Sequence, residues 1–276
     1  MTDNMTYGRV LYDNAFNDAG VSLLINLCTE VSGFPREYAV DWRDFTFFRA
    51  ETVTGGTPAG TALWLYMQPS ADRIIDSIGW WVKPTYEPAS GRQLVQVVHN
   101  YGATYEPLYT VDLYSDGLMG LKTFTPRTIG ASDYLIAVMY NYELFGSYPW
   151  DVRAIAVGNH VQFPVGQHVG IAPPAFQRQA MAASNVSVEG SHLGRDVLGH
   201  TVSGTIDLEY LRESFVDDEW VPFLEHARTK PFFYQWDADD HELDCVIAQA
   251  TDIEPASNTM PNPRMTARMA WRGLRK

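Results

Sequence analysis

The feature that most constrains this chain is its punctuation. Between Thr54 and Gly166, short runs of β-branched and aromatic residues alternate with Gly- and Pro-containing turns, and no strong helical pattern intervenes. TGGTPAG (Thr54–Gly60) is a loop by composition. The strand-like runs that follow are TALWLYMQ, bounded by Pro69, SIGWWV, bounded by Pro84, then RQLVQVVHNYG, YEPLYTVDLYSDG, YLIAVMYNY and VRAIAVGNHVQFPVG. In YLIAVMYNY, Leu135, Ala137 and Met139 share one face of an extended strand. Gly158-Asn159 reads as a hairpin turn. Short strands at close spacing predict an antiparallel β-sandwich of jelly-roll type or a barrel. An aromatic content of 13% points the same way, since Trp, Tyr and Phe favour pleated, half-buried surface.

The pattern changes after about residue 160. Pro173-Pro174 makes a stiff lead-in, and SNVSVEG and GHTVSGTIDLEY read as strands flanking the turn GSHLGRD. The one convincing helical stretch follows. Asp218 is its expected N-cap and Pro222 falls in its first turn, while Trp220, Phe223, Leu224 and Ala227 sit at i, i+3, i+4, i+7. Leu208, Leu211 and Phe215 make a shorter apolar stripe before it. PFFYQW, LDCVIAQATDIE and RMTARMAWRGL read as closing strands, so residues 161–276 are expected to form an α+β domain and residues 1–160 the sandwich. A chain of 276 residues is long enough for two cores.

Charge and cysteine usage narrow the function classes. The net charge of −13 opposes a conventional nucleic-acid binder, which would show a basic stripe. It is spread evenly: 10 Lys/Arg against 17 Asp/Glu in residues 1–159 (−7), and 10 against 16 in residues 160–276 (−6). Cys28 and Cys245 lie far apart and belong to no ligand cluster, so buried free thiols are expected rather than a disulfide framework or zinc site. The first residues lack the basic and apolar regions of a signal peptide, and no apolar run reaches the roughly 20 residues of a membrane span. The expectation is a soluble protein made inside a cell, with no membrane partner.

The familiar catalytic patterns are missing: GxSxG, GxxxxGK[ST], HExxH and a GxGxxG at a strand–helix junction. The seven histidines are scattered. WDADDHELD (Trp236–Asp244) is the one dense acidic group. It lacks the turn glycine and terminal glutamate of a calcium loop and reads as a solvated hairpin loop. No enzyme activity, cofactor or metal is therefore expected. The aromatics are more informative. Trp80-Trp81, adjacent on a strand, must face opposite sides of a sheet. Tyr101, Tyr105, Tyr142, Tyr148 and Trp150 lie in or beside predicted loops, where they either stack on sugar rings or are buried at an interface.

Two stretches of the chain resemble known families. VGQHVGIAPPAFQRQ through SHLGRDVLGHTVSGTIDLEYLRESFVDDEWVPFLEHARTKPFFYQW and on to MTARMAWRGL resembles the C-terminal half of tail-associated structural proteins of bacteriophages, over about 110 residues. Its order of strands, helix and strands is also similar to tail-tube and distal-tail proteins. GRVLYDNAF, DWRDFTFFRAE, TALWLYMQPSADRIIDSIGWWV and Arg153–Gly158 resemble a discoidin-like, galactose-binding-like sandwich. The resemblance implies a virion component at the distal tail or tail tip, assembled in the host cytoplasm. Its partners would be tube, hub or tip proteins, within a homo-oligomeric ring, six-fold by analogy. DNA would pass through such a ring without binding. The sandwich resemblance implies host-surface glycan as a further partner, and hence the alternative of a glycan-binding adhesin. A carbohydrate-active enzyme is a second alternative.

Overall fold

The computed structural model describes residues 7–17, 24–26, 28–41, 47–52, 62–84, 92–102, 104–113, 115, 119–142, 150–166, 173–174, 179–186, 192–241, 244–258 and 264–274. Its strands are β1 (Arg9–Leu11), β2 (Leu24–Asn26), β3 (Cys28–Glu30), β4 (Phe48–Thr52), β5 (Ala62–Met67) and β6 (Arg73–Pro84). Then come β7 (Arg92–Tyr101), β8 (Thr104–Asp112), β9 (Met119–Ile129), β10 (Tyr134–Tyr142), β11 (Trp150–Gly158) and β12 (His160–Gln162). The remainder are β13 (Gln179–Val186), β14 (His192–Arg212), β15 (Phe232–Gln235), β16 (Cys245–Ser257) and β17 (Arg264–Leu274). The protein is mainly β. It divides into one compact unit of Val10–Val161 and another of Met1–Arg9 with Gln162–Lys276.

The first unit holds two five-stranded sheets, β2-β5-β10-β7-β8 and β3-β4-β11-β6-β9, with antiparallel pairing in the described registers. Alternation along each strand sends every second side chain into one shared core. Val95, Val97, Leu135, Ala137 and Met139 enter it from the first sheet, and Ile78, Trp80, Val82, Ile155 and Val157 from the second. This is an antiparallel β-sandwich, as the spacing of the strand runs predicts. Trp80 is fully buried in that core, whereas Trp81 points away from it beneath Arg153, whose Cζ lies 4.9 Å from its ring centroid. The core ring needs room on the neighbouring strand. A Cβ on Gly120 would lie 2.4 Å from Trp80.

Gly158-Asn159 is not a hairpin turn. β11 pairs with β4 and β6, while β12 lies beside β1 in another sheet, so the chain changes sheets here instead of reversing. The glycine answers to a close backbone approach, since a Cβ at 158 would meet the Asp13 carbonyl oxygen at 2.1 Å. The crossing is fixed by Asn14, whose Nδ2 donates to the Ile155 carbonyl (2.9 Å) and whose Oδ1 accepts the Val157 N–H (3.2 Å).

The third sheet has seven strands in the order β12-β1-β15-β16-β17-β14-β13; β13 to β17 belong to the second unit, which among the described residues carries a helical segment from Glu213 to Ala227. Buried Trp220, Phe223, Leu224 and Ala227 form the predicted face of that segment. Edge-to-face contacts run from Trp220 to Phe223 (5.4 Å) and from Phe223 to Phe232 of β15 (4.9 Å). Its start differs from expectation. Helical backbone begins at Glu213, so Asp218 lies inside a π turn, Val216–Trp220, and caps nothing; Pro222 does fall in the first turn of Val221–Ala227. Leu208 and Leu211 are buried strand residues of β14, not a helical stripe. β14 also begins earlier than the expected turn GSHLGRD allows, taking in His192–Asp196. Between the antiparallel pair β15 and β16, the described residues Trp236–His241 and Asp244 are non-strand, with Asp237 Oδ1 accepting the N–H groups of Asp239 and Asp240. Cys245 is a buried free thiol, its pKa pushed up by burial; the Cys28 side chain lies outside the described residues.

One irregularity stands out in the β14–β17 ladder. Leu208 pairs with Ala267 and Leu211 with Met265, so three steps on β14 face two on β17. Tyr210 takes up the extra residue with φ 62, a left-handed conformation that L-residues other than Gly and Asn rarely adopt.

Candidate functional site

The described residues place the richest exposed aromatic cluster at one end of the sandwich, where strands β5, β7, β8 and β10 begin or end. Register builds it. Asn100 of β7 is paired on one side with Tyr134 of β10 and on the other with Tyr105 of β8. Directly opposed residues share a face. Leu135 next to Tyr134 faces the core, so Tyr134, Asn100 and Tyr105 form a row on the outer face. One step along, Ile136 pairs with both Val98 and Tyr66, giving an apolar floor of Val98, Ile136 and Val138 with Tyr66 packed against it. Tyr66 meets Tyr134 edge-to-face at 6.1 Å. Tyr105 is 57% exposed and Tyr134 37%. Between these rings the Asn100 Oδ1 is buried, with no hydrogen-bond partner among the described residues.

The rim is rigid because its turns are tied together. Asp133, in the turn joining β9 to β10, accepts the Gly130 N–H (3.0 Å) and a hydrogen bond from His99 Nε2 (2.9 Å). Asp72 Oδ1 accepts the Ala131 N–H (2.9 Å), and Gln68 Nε2 donates to the Ala131 carbonyl (3.1 Å). Tyr101 stands beside His99 at 4.9 Å, next to Gly102, whose φ of 62 suits the tight β7–β8 hairpin.

The hydrogen bond from His99, then that from the Gly130 amide, hold the Asp133 carboxyl below the ordinary aspartate value of 3.8. A depressed folded-state pKa contributes stability that is present above the unfolded value and lost as pH falls through the folded one. An NMR titration should therefore find Asp133 ionising below free aspartate. Asp133→Asn should flatten the part of the acid-unfolding curve below about pH 4. An Asp133 titrating at or above the free value would contradict the pairing.

Of the aromatics singled out from sequence, Tyr101 and Tyr105 lie at this end. They face opposite sides of the hairpin, because Tyr105 pairs with Asn100 and Tyr101 with Thr104. Tyr142 ends β10, eight residues from Tyr134 and so roughly 27 Å away along an extended strand. Trp150 begins β11 opposite Pro84, at the far end of β6. These two positions belong to the opposite end of the sandwich from Tyr101 and Tyr105. Tyr148 lies outside the described residues. The residues missed from sequence, Tyr66, Asn100 and Tyr134, sit inside strand-like runs where an aromatic reads as core. Only the cross-strand register brings them to one place.

No protein-family model matches the chain, and no curated protein matches it. Solved structures similar to it include chitosan-binding module 1 from a chitosanase/glucanase of Paenibacillus sp. IK-5, at 18% identity and TM-score 0.35, covering 49% of this chain and 92% of that one. Another is the family 32 carbohydrate-binding module of Clostridium perfringens NanJ in complex with galactose, at 15% identity and TM-score 0.35, covering 51% and 93%. A third is a Ruminococcus gnavus GH29 fucosidase mutant in complex with fucose, at 14% identity and TM-score 0.39, covering 55% and 28%.

Proposed function

We propose that the sandwich unit is a non-catalytic glycan-binding module whose sugar-facing surface is the row Tyr134, Asn100 and Tyr105, with Tyr66 beside it. The observation that carries this reading is the pair of exposed tyrosine rings, Tyr105 and Tyr134, set on either side of Asn100 on the outer face. Tyrosine rings present flat apolar area together with a hydroxyl, which suits the C–H face and rim of a pyranose. The hydrogen-bonded turns hold the surface in shape before any ligand arrives, which reduces the ordering cost of binding.

Screening the full chain against a panel of neutral oligosaccharides tests this. At least one should bind, and Tyr105→Ala and Tyr134→Ala should each weaken it about tenfold, equivalent to about 1.4 kcal/mol, with little change in melting temperature. Failure to retain any glycan, or retention unchanged in the double variant, would defeat the reading.

The likeness of the segment from Val165 to Leu274 to phage tail-associated proteins supports a second reading for the other unit, assembly into a ring at a tail tip. Light scattering on the purified chain distinguishes a closed oligomer from a monomer, and a monomer at micromolar concentration would count against it.

A further inference from the structure

The second unit contains a groove of about 470 Å³ that is separate from the tyrosine row and independent of the reading given to it. That volume falls within the roughly 300–1,000 Å³ of small-ligand sites. Two arginines line it, Arg212 at the end of β14 and Arg264 at the start of β17, and they are direct partners in the ladder. Like charges placed opposite one another across two strands are destabilising. Among the described residues no carboxylate lies within ion-pairing distance of either guanidinium, and Arg264 Nη1 reaches only the Tyr210 carbonyl, at 3.5 Å. Tyr210, two residues before Arg212, lines the same groove, 54% exposed and in the left-handed conformation at the bulge. An exposed aromatic in strained backbone is the kind of feature that persists at ligand sites. Asp218 and Glu219 also line the groove, placed there by the π turn, a distortion frequent at functional sites.

We infer that this groove binds a uronic-acid unit of an acidic oligosaccharide. The carboxylate lies between Arg212 and Arg264, the sugar face rests on Tyr210, and ring hydroxyls donate to Asp218 and Glu219. Each element answers to one part of the ligand. Guanidinium forks match the planar carboxylate, and the two acidic side chains need donors, which a polyol supplies at every ring position. A bare anion such as phosphate would satisfy the arginines but leave Tyr210 and the acidic wall without a function.

Trigalacturonate titrated into the full chain by calorimetry should bind, with affinity falling as salt rises. A neutral trisaccharide of equal length should bind at least tenfold more weakly at this groove. Arg212→Gln with Arg264→Gln should remove the preference, and Tyr105→Ala should leave it intact, which separates this site from the tyrosine row. Tyr210→Gly should weaken binding while raising the melting temperature, because glycine relieves the left-handed strain. Arg212→Gln alone should raise the melting temperature without ligand, so a loss of binding there is not unfolding. In a Tyr105→Ala, Tyr134→Ala background, equal affinity for acidic and neutral sugars, binding untouched by the arginine changes, or preference for an acidic peptide over trigalacturonate would each overturn the inference.

Discussion

Phe223→Ala should destabilise the second unit by about 3–5 kcal/mol, the range for removing a fully buried aromatic ring. Phe223 has no exposed surface and sits between Trp220 on one side and Phe232 of β15 on the other, with both rings edge-on. Deleting it opens a cavity walled by two rigid aromatic rings and the sheet, and rigid walls relax poorly. The Trp220 ring, whose Nε1 is buried with no hydrogen-bond partner among the described residues, would then border the void. Because the chain has two units, hydrogen exchange is the measurement to make. Protection in β15 and β16 should fall steeply, while that in β7 and β10 stays near its original level. A change below about 0.5 kcal/mol, the size of surface substitutions, would place the ring outside the core.

Gly158→Ala should cost about 3 kcal/mol, at the upper end of overpacking penalties. The added methyl group would stand 2.1 Å from the Asp13 carbonyl oxygen and 2.8 Å from its carbon. These are backbone atoms and cannot swing aside as a side chain can. Asp13 is also held by Arg73, with Nη2 to Oδ2 at 2.5 Å, and the neighbouring Asn14 clamps β11 at two points. Gly33→Ala is the control. A methyl group there meets nothing within 4 Å and loses only the freedom to adopt φ 87, about 1 kcal/mol. Denaturant unfolding of both variants should rank them in that order; equal losses would show that the crossing can open to admit a methyl group.

What could be read from sequence was whatever depends on period and punctuation. Leu135, Ala137 and Met139 face one core because a strand alternates, and Trp80 and Trp81 part to opposite sides for the same reason. The face of Trp220, Phe223, Leu224 and Ala227 follows from helical spacing. What could not be read depends on which strands meet. The tyrosine row exists only because Asn100 lies opposite both Tyr134 and Tyr105, a fact of register among three strands. The helix start was misplaced because Asp218 is a good cap in isolation, while the packing of Trp220 is served by helical backbone that already begins at Glu213. Gly158-Asn159 has the composition of a turn, but the steric demand on its glycine comes from residue 13, far away in sequence. The paired arginines were equally hidden, separated by fifty-two positions and joined only through the ladder.

The placement of β12 next to β1 has a consequence for the order of folding. The seven-stranded sheet requires β1 to find partners that are made only after the sandwich strands, so that β1 waits through some 150 residues of synthesis. Closing a flexible loop of that length carries an entropy cost that grows only with the logarithm of its length, but the search is slow for contacts so distant in sequence. A sandwich that folds first changes the problem. The Asn14 bonds to β11 hold the chain's entry and exit together before β15 to β17 exist. The effective loop that β1 must close then shrinks from about 150 residues to a handful.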